Sequence, residues 1–157
     1  MKKNVLCVLI LTGLILLTDC AVPQQLALPQ QLSPEFVISN LYCKKGYDEN
    51  ACVLGGVYFD ILNKSEEEII YMELNVRLCD SKTGAPAFPI NPTISIKYDG
   101  CIESLEKKEM CISLDNYITF DSPKEFLIDA FIINKIVYAD GTVWNDFFGM
   151  YGIFRDN

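Results

Sequence analysis

Seven cysteines and no histidine bound the chemistry open to this chain. Without an imidazole there is no Ser-His-Asp or Cys-His nucleophile and no histidine metal ligand. Cys7, Cys20, Cys43, Cys52, Cys79, Cys101 and Cys111 contain no C-x-x-C spacing, which argues against zinc. Paired carboxylates could act on a glycoside, and clustered ones could hold calcium. The acids fall instead in short polar stretches, Asp48-Glu49, Glu66-Glu67-Glu68, Asp99, Asp115, Asp121 and Asp140, where such side chains serve turn hydrogen bonding. Neither a D-x-D-x-D-G loop nor a Gly-rich phosphate loop occurs. The expectation is therefore no catalytic residue, no metal and no cofactor.

The cysteine with the most informative setting is Cys20. Met1-Lys2-Lys3-Asn4 is basic, and Val5 to Leu17 is an almost unbroken apolar run that ends in Leu16-Leu17-Thr18-Asp19-Cys20. At ~1.5 Å per residue a helix over that run covers only about 20 Å, short of the ~30 Å bilayer core. The length suits a cleaved signal peptide, residues 1–19, better than a permanent span. The ending resembles a bacterial lipobox, with Leu17 three residues before a cysteine that receives diacylglycerol, although Asp19 stands where Gly, Ala or Ser is usual. The resemblance implies export by the general secretory route, lipidation of Cys20 and attachment to a membrane through that lipid. Ala21, by analogy with enteric sorting, implies the outer membrane rather than the inner. Secretion without a lipid is the alternative.

Export places the remaining thiols in an oxidising compartment. Cys43 and Cys52 flank a turn-like stretch, as do Cys101 and Cys111, and both spacings suit a disulfide across a hairpin mouth, with Cys79 left over. The charge count, 13 basic against 21 acidic, falls to 11 against 20 once residues 1–19, with Lys2, Lys3 and Asp19, are removed. An acidic body repels phosphate backbones and anionic bilayers alike, so no nucleic-acid partner is expected and anchoring must come from apolar groups.

The elements that would position these groups are strands. Residues 20–33 hold Pro-Gln-Gln-Leu twice and no charge, which reads as a tether. From Pro34 onward apolar residues alternate with period two. Ile70, Met72, Leu74, Val76 and Leu78 mark one face, with Tyr71, Glu73, Asn75 and Arg77 opposite. Further strands are expected around Phe36–Cys43, Val57–Ile61, Ile94–Tyr98 (stopping at Asp99-Gly100), Met110–Leu114, Phe126–Ala139 and Thr142–Trp144. Asn63-Lys64-Ser65-Glu66 reads as a polar turn that also matches a glycosylation sequon, and Asp140-Gly141 as a two-residue type I′ turn. About seven short strands and no amphipathic helix predict an all-β, immunoglobulin-like antiparallel sandwich over residues 34–146.

Gly56-Val57-Tyr58-Phe59-Asp60-Ile61-Leu62-Asn63-Lys64-Ser65, then Ile69 to Val76, Asp80-Ser81-Lys82-Thr83-Gly84 and the closing Ile136 to Trp144 carry a wider resemblance. Together they are similar to the single immunoglobulin-like domains of bacterial envelope lipoproteins, the FxLYD-like and DUF4352-like group, though no Phe-x-Leu-Tyr-Asp string occurs. The resemblance implies an extracytoplasmic binding or structural module with no catalytic residues to carry over. The tail, residues 147–157, packs Phe147, Phe148, Met150, Tyr151, Ile153 and Phe154 into eight positions without a charge. Either it caps the sandwich or it forms an apolar patch that docks a protein partner or the membrane surface. The functional expectation is a lipid-anchored, non-enzymatic cell-envelope protein that binds a protein partner. The rival is a soluble secreted effector or a carboxylate- or calcium-dependent enzyme without an anchor.

Overall fold

The structure, a computed structural model, describes residues 33–48 and 53–155. The apolar N-terminal segment, Cys20, the tether up to Leu32, and Cys52 lie outside those residues. Eight strands follow in order: β1 Phe36–Asp48, β2 Val53–Asn63, β3 Ile69–Asp80, β4 Thr93–Ile102, β5 Lys107–Ser113, β6 Phe126–Tyr138, β7 Val143–Asn145 and β8 Ile153–Phe154. They form two antiparallel sheets, β1-β2-β5 and β4-β3-β6-β7, with β8 paired to β6. The all-β sandwich expected from the alternation is present, with one strand more than expected.

Alternation places one apolar set from each sheet between the layers. Val57, Phe59 and Ile61 of β2 face Met72, Leu74 and Val76 of β3 and Phe131, Ile133 and Ile136 of β6, all buried in one cluster. Phe59 meets Phe131 with ring centroids 4.8 Å apart and planes 62° from parallel, an edge-to-face contact. β6 is interior to its sheet, paired with β3 on one side and with β7 and β8 on the other, which explains its nearly continuous apolar run.

Three local features differ from the sequence expectation. A register shift between Ile69 and Tyr71 puts Ile69 fully inside and leaves Ile70 39 % exposed, so Ile70 does not belong to the core face. The bulge adds one residue and flips the alternation at the start of the strand. β4 does not stop at Asp99-Gly100 but pairs through Asp99, opposite Tyr71, and on to Ile102, opposite Ile69. The β6–β7 connection is not a two-residue type I′ turn. Tyr138 and Thr142 bracket three residues, Gly141 N–H bonds back to Tyr138 O (3.0 Å), and in the loop only Gly141 has positive φ (88°). That is a type I turn closed by a left-handed glycine. Asp140 keeps a negative φ, and its carboxylate accepts from Thr142 N and Thr142 Oγ1.

The other polar turn is tied into the core. Asn63 is fully buried, its Nδ2 facing Glu67 O (2.8 Å), Ile102 O (3.2 Å) and Glu103 O (3.1 Å), while its Oδ1 accepts from Ser65 N (3.0 Å). Ser65 Oγ in turn accepts from Glu67 N (3.0 Å). The sequon is thus a structural turn whose amide is inaccessible in the folded domain. One side chain joins the end of β2, the β2–β3 loop and the end of β4, linking the two sheets. Asn63→Ala should therefore lose roughly 2–4 kcal/mol in urea unfolding, because buried carbonyls lose their donor. A loss under about 0.5 kcal/mol, the level of a surface change, would contradict that role.

Candidate functional site

The tail is held by Asp146. This residue is 2 % exposed, its N–H donates to Asn134 O (2.8 Å), and its carboxylate accepts from Met150 N (2.9 Å) and Tyr151 N (2.8 Å). Gly149, at φ 67°, reverses the chain, and Gly152 N–H bonds to Gly149 O (3.1 Å). The chain then enters β8, where Ile153 pairs with Phe131 and Phe154 with Ala130. Tyr151 packs on Trp144 at 5.9 Å, and Trp144 meets Phe36 edge-on at 5.0 Å, so Trp144 serves as core. The tail is therefore part of the sandwich beyond the expected boundary at residue 146.

Its outward side chains are nevertheless left in water. Phe147 is 75 % exposed, Phe148 76 % and Met150 68 %, and Tyr151, Ile153 and Phe154 are exposed as well. The tail combines an edge strand packed on β6 with an exposed apolar patch. It completes a sheet edge, and it displays the six apolar side chains singled out in the sequence.

Among the described residues, the expected Cys101–Cys111 disulfide does not form. β4 and β5 lie in different sheets, so Cys101 and Cys111 are not partners across a hairpin. Cys111 sits opposite Tyr58, and the Cys101 thiol donates to Glu68 Oε1. Cys43 lies opposite Val57 and donates to Phe126 O (3.1 Å), while its proposed partner Cys52 is outside the described residues. Cys79 is buried on β3, and Arg155 Nη1 donates to its sulfur at 2.9 Å. The Cys101 thiol is pushed up to about 11, first by its bond to Glu68 and then by burial. Burial, followed by the neighbouring Cys79, pushes Cys43 to about 11 as well. Both stay protonated near neutral pH and are poor nucleophiles.

A second surface was not anticipated. Tyr42 of β1 and Tyr58 of β2 are register partners on the outer face of the smaller sheet, stacked at 5.0 Å with planes 10° apart. Beside them Asp60, 7 % exposed, accepts from Asn40 Nδ2 and pairs with Lys107 Nζ at 2.7 Å. Asn40 has positive φ (50°) at a register shift between Ser39 and Tyr42. The shift aligns Tyr42 with Tyr58, and alternation alone cannot reveal it. Asp60 was also missed, because the acids that drew attention lie in turns and this one is mid-strand.

Set against protein-family models, curated proteins and solved structures, the chain matches none of them.

The Asp60 cluster has a signature in pH. The bonds from Lys107 and then Asn40 hold its carboxyl below the ordinary 3.8. Backbone N–H donors do the same for Asp80, and Thr142 for Asp140. A carboxyl that ionises more readily folded than unfolded contributes stability above its unfolded value and loses it as pH falls through the folded one. The domain should hold its stability down to about pH 4 and lose it below. In acid titrations followed by circular dichroism, Lys107→Met should move the unfolding midpoint to higher pH, and an unmoved midpoint would remove Asp60 from the account.

Proposed function

We propose that this chain is a lipid-anchored, non-enzymatic cell-envelope protein that offers the aromatic tail of its immunoglobulin-like sandwich to a protein partner. The observation that carries the partner surface is the contrast in the tail: a backbone fixed by Asp146 and β6, and side chains such as Phe147 and Phe148 more than two-thirds exposed. Burying each such side chain yields roughly 1.5–3 kcal/mol, and a pre-set loop lowers the ordering cost of binding. Aromatic and methionine side chains are enriched in protein interfaces.

The anchor rests on the sequence, where the apolar run ends at Cys20 and Ala21 favours the outer membrane. The residues from Cys20 to Ser33, if extended, reach about 40 Å at ~3.1 Å each. That would hold the domain clear of headgroups that its negative charge disfavours, so a protein surface suits the patch better than lipid. The protonated Cys43 and Cys101 thiols and the absence of histidine favour binding over catalysis.

The full chain, expressed in a bacterium with the lipoprotein-processing pathway, provides the test. Mass spectrometry should find a mature N-terminus at Cys20 carrying diacylglycerol, and Cys20→Ala should shift the protein from the membrane pellet to the soluble fraction. A photo-crosslinker at Met150 should give one discrete adduct in intact envelopes. Phe147→Ser with Phe148→Ser should abolish that adduct while Tm moves by less than about 3 °C, as expected for exposed positions. An unmodified N-terminus would remove the anchor, and an adduct indifferent to the double variant would remove the docking surface.

A further inference from the structure

At one end of the sandwich an open hollow of about 450 Å³ is lined by Glu35, Glu66, Glu67, Asp140, Lys64 and Tyr138, among others. Its size falls within the ~300–1,000 Å³ range of ligand pockets. The Asn63 amide fixes the loop that carries Glu66 and Glu67, and the three-residue β6–β7 loop supplies Asp140. Asp140 is occupied by Thr142. Among the described residues, no ion pair joins Lys64, Glu35, Glu66 or Glu67 to a partner. Acids at a turn need no ligand to explain them, and alone they would carry nothing.

The second observation lies beneath them. Tyr138 is 5 % exposed, and its hydroxyl is the one buried side-chain polar atom, among the described residues, without a hydrogen-bond partner. Native interiors rarely leave such a group unpaired, because its lost hydration goes uncompensated. Burial, then the charge of Glu35, pushes the phenol up to about 12, so it stays a neutral hydroxyl. An orphaned hydroxyl beside unpaired carboxylates wants a ligand that is positively charged and carries N–H donors.

We infer that this hollow binds an organic cation, an alkylguanidinium or alkylammonium group, paired with Glu35, Glu66 and Glu67 and donating an N–H to the Tyr138 oxygen. The carboxylates outnumber Lys64, so the hollow keeps a net negative charge. The described residues contain no group of three acids or cysteines placed to hold a metal ion, which points away from calcium. A guanidinium carries five donors and can reach several separated acceptors at once. The long, exposed side chains of Glu66 and Glu67 can swing aside to admit it to the buried oxygen. This inference does not depend on the lipid anchor or on the tail.

The full chain is titrated with n-butylguanidinium and n-butylammonium chloride at low salt by calorimetry, with an Ac-Gly-Arg-Gly-amide peptide as a third probe. At least one of the two small cations should bind saturably at one site. Glu67→Gln and Tyr138→Phe should each weaken that binding at least tenfold. Peptide binding at the same site would identify a protein-borne arginine as the source of the cation, and its absence a free small molecule. Tyr138→Phe is the diagnostic variant, because it removes an unpaired hydroxyl and should leave Tm unchanged or raised even as binding is lost. No saturable binding of either cation, binding indifferent to both variants, or displacement of the probe by stoichiometric calcium would each overturn the inference. A lowered Tm in Tyr138→Phe with binding intact would overturn it too, since the hydroxyl would then already be paired.

Discussion

Everything in this domain depends on the packing of β2 against β3 and β6 across the interlayer space. Phe59 and Phe131 meet edge-to-face there, ringed by buried Val57, Ile61, Leu74, Val76 and Ile133. The contact is possible only if both sheets hold a register that turns these side chains inward, since a one-residue slip would carry each set to solvent. Register is therefore fixed where the sheets need it and adjusted locally by shifts at Asn40, Ile69 and Leu78. Those shifts re-aim neighbouring side chains without disturbing the layer between. Asn63 extends the same constraint to the end of the sandwich, where its amide replaces apolar packing by pinning the β2–β3 loop to the end of β4.

With the interior settled, the features that could meet another molecule gather at the margins. Asp146 spends a buried carboxylate on two backbone donors, which turns an apolar tail into a fixed sheet edge with exposed aromatics. The smaller sheet ends in β5, whose Lys107 and Lys108 discourage pairing with another strand. Lys107 also neutralises Asp60 in the adjacent strand. The loops at one end of the sandwich bring acids together above an unpaired Tyr138 hydroxyl.

The strands were legible because period-two alternation is the direct imprint of a half-buried sheet. Val57, Phe59, Ile61, Met72, Leu74 and Val76 are placed correctly by it alone. Ile70 and the Asp140-Gly141 turn were misplaced for one reason: a bulge and a one-residue difference in loop length leave no compositional mark. The Cys101–Cys111 pairing failed at a higher level. Cys101 and Cys111 look like hairpin partners along the chain, but β4 and β5 join different sheets, and sheet membership is decided by long-range pairing. The tail residues were legible as an anomaly, six apolar side chains in a short uncharged run, although the role of Asp146 in shaping them was not. The stacked Tyr42 and Tyr58, Asp60 and the Tyr138 hollow required three-dimensional placement, since none is marked by spacing. The expectation of export and lipidation rests wholly on the sequence before the described residues.

The claim that the tail is a built surface rather than a loose end is tested most directly by native-state amide hydrogen exchange at Met150 and Tyr151. Their N–H groups are bonded to the buried Asp146 carboxylate, so they should exchange at least a hundredfold more slowly than an unprotected peptide, about 2.7 kcal/mol of local opening. Exchange at the unprotected rate would mean that the aromatics are not held in place, and the docking surface would have no structural basis.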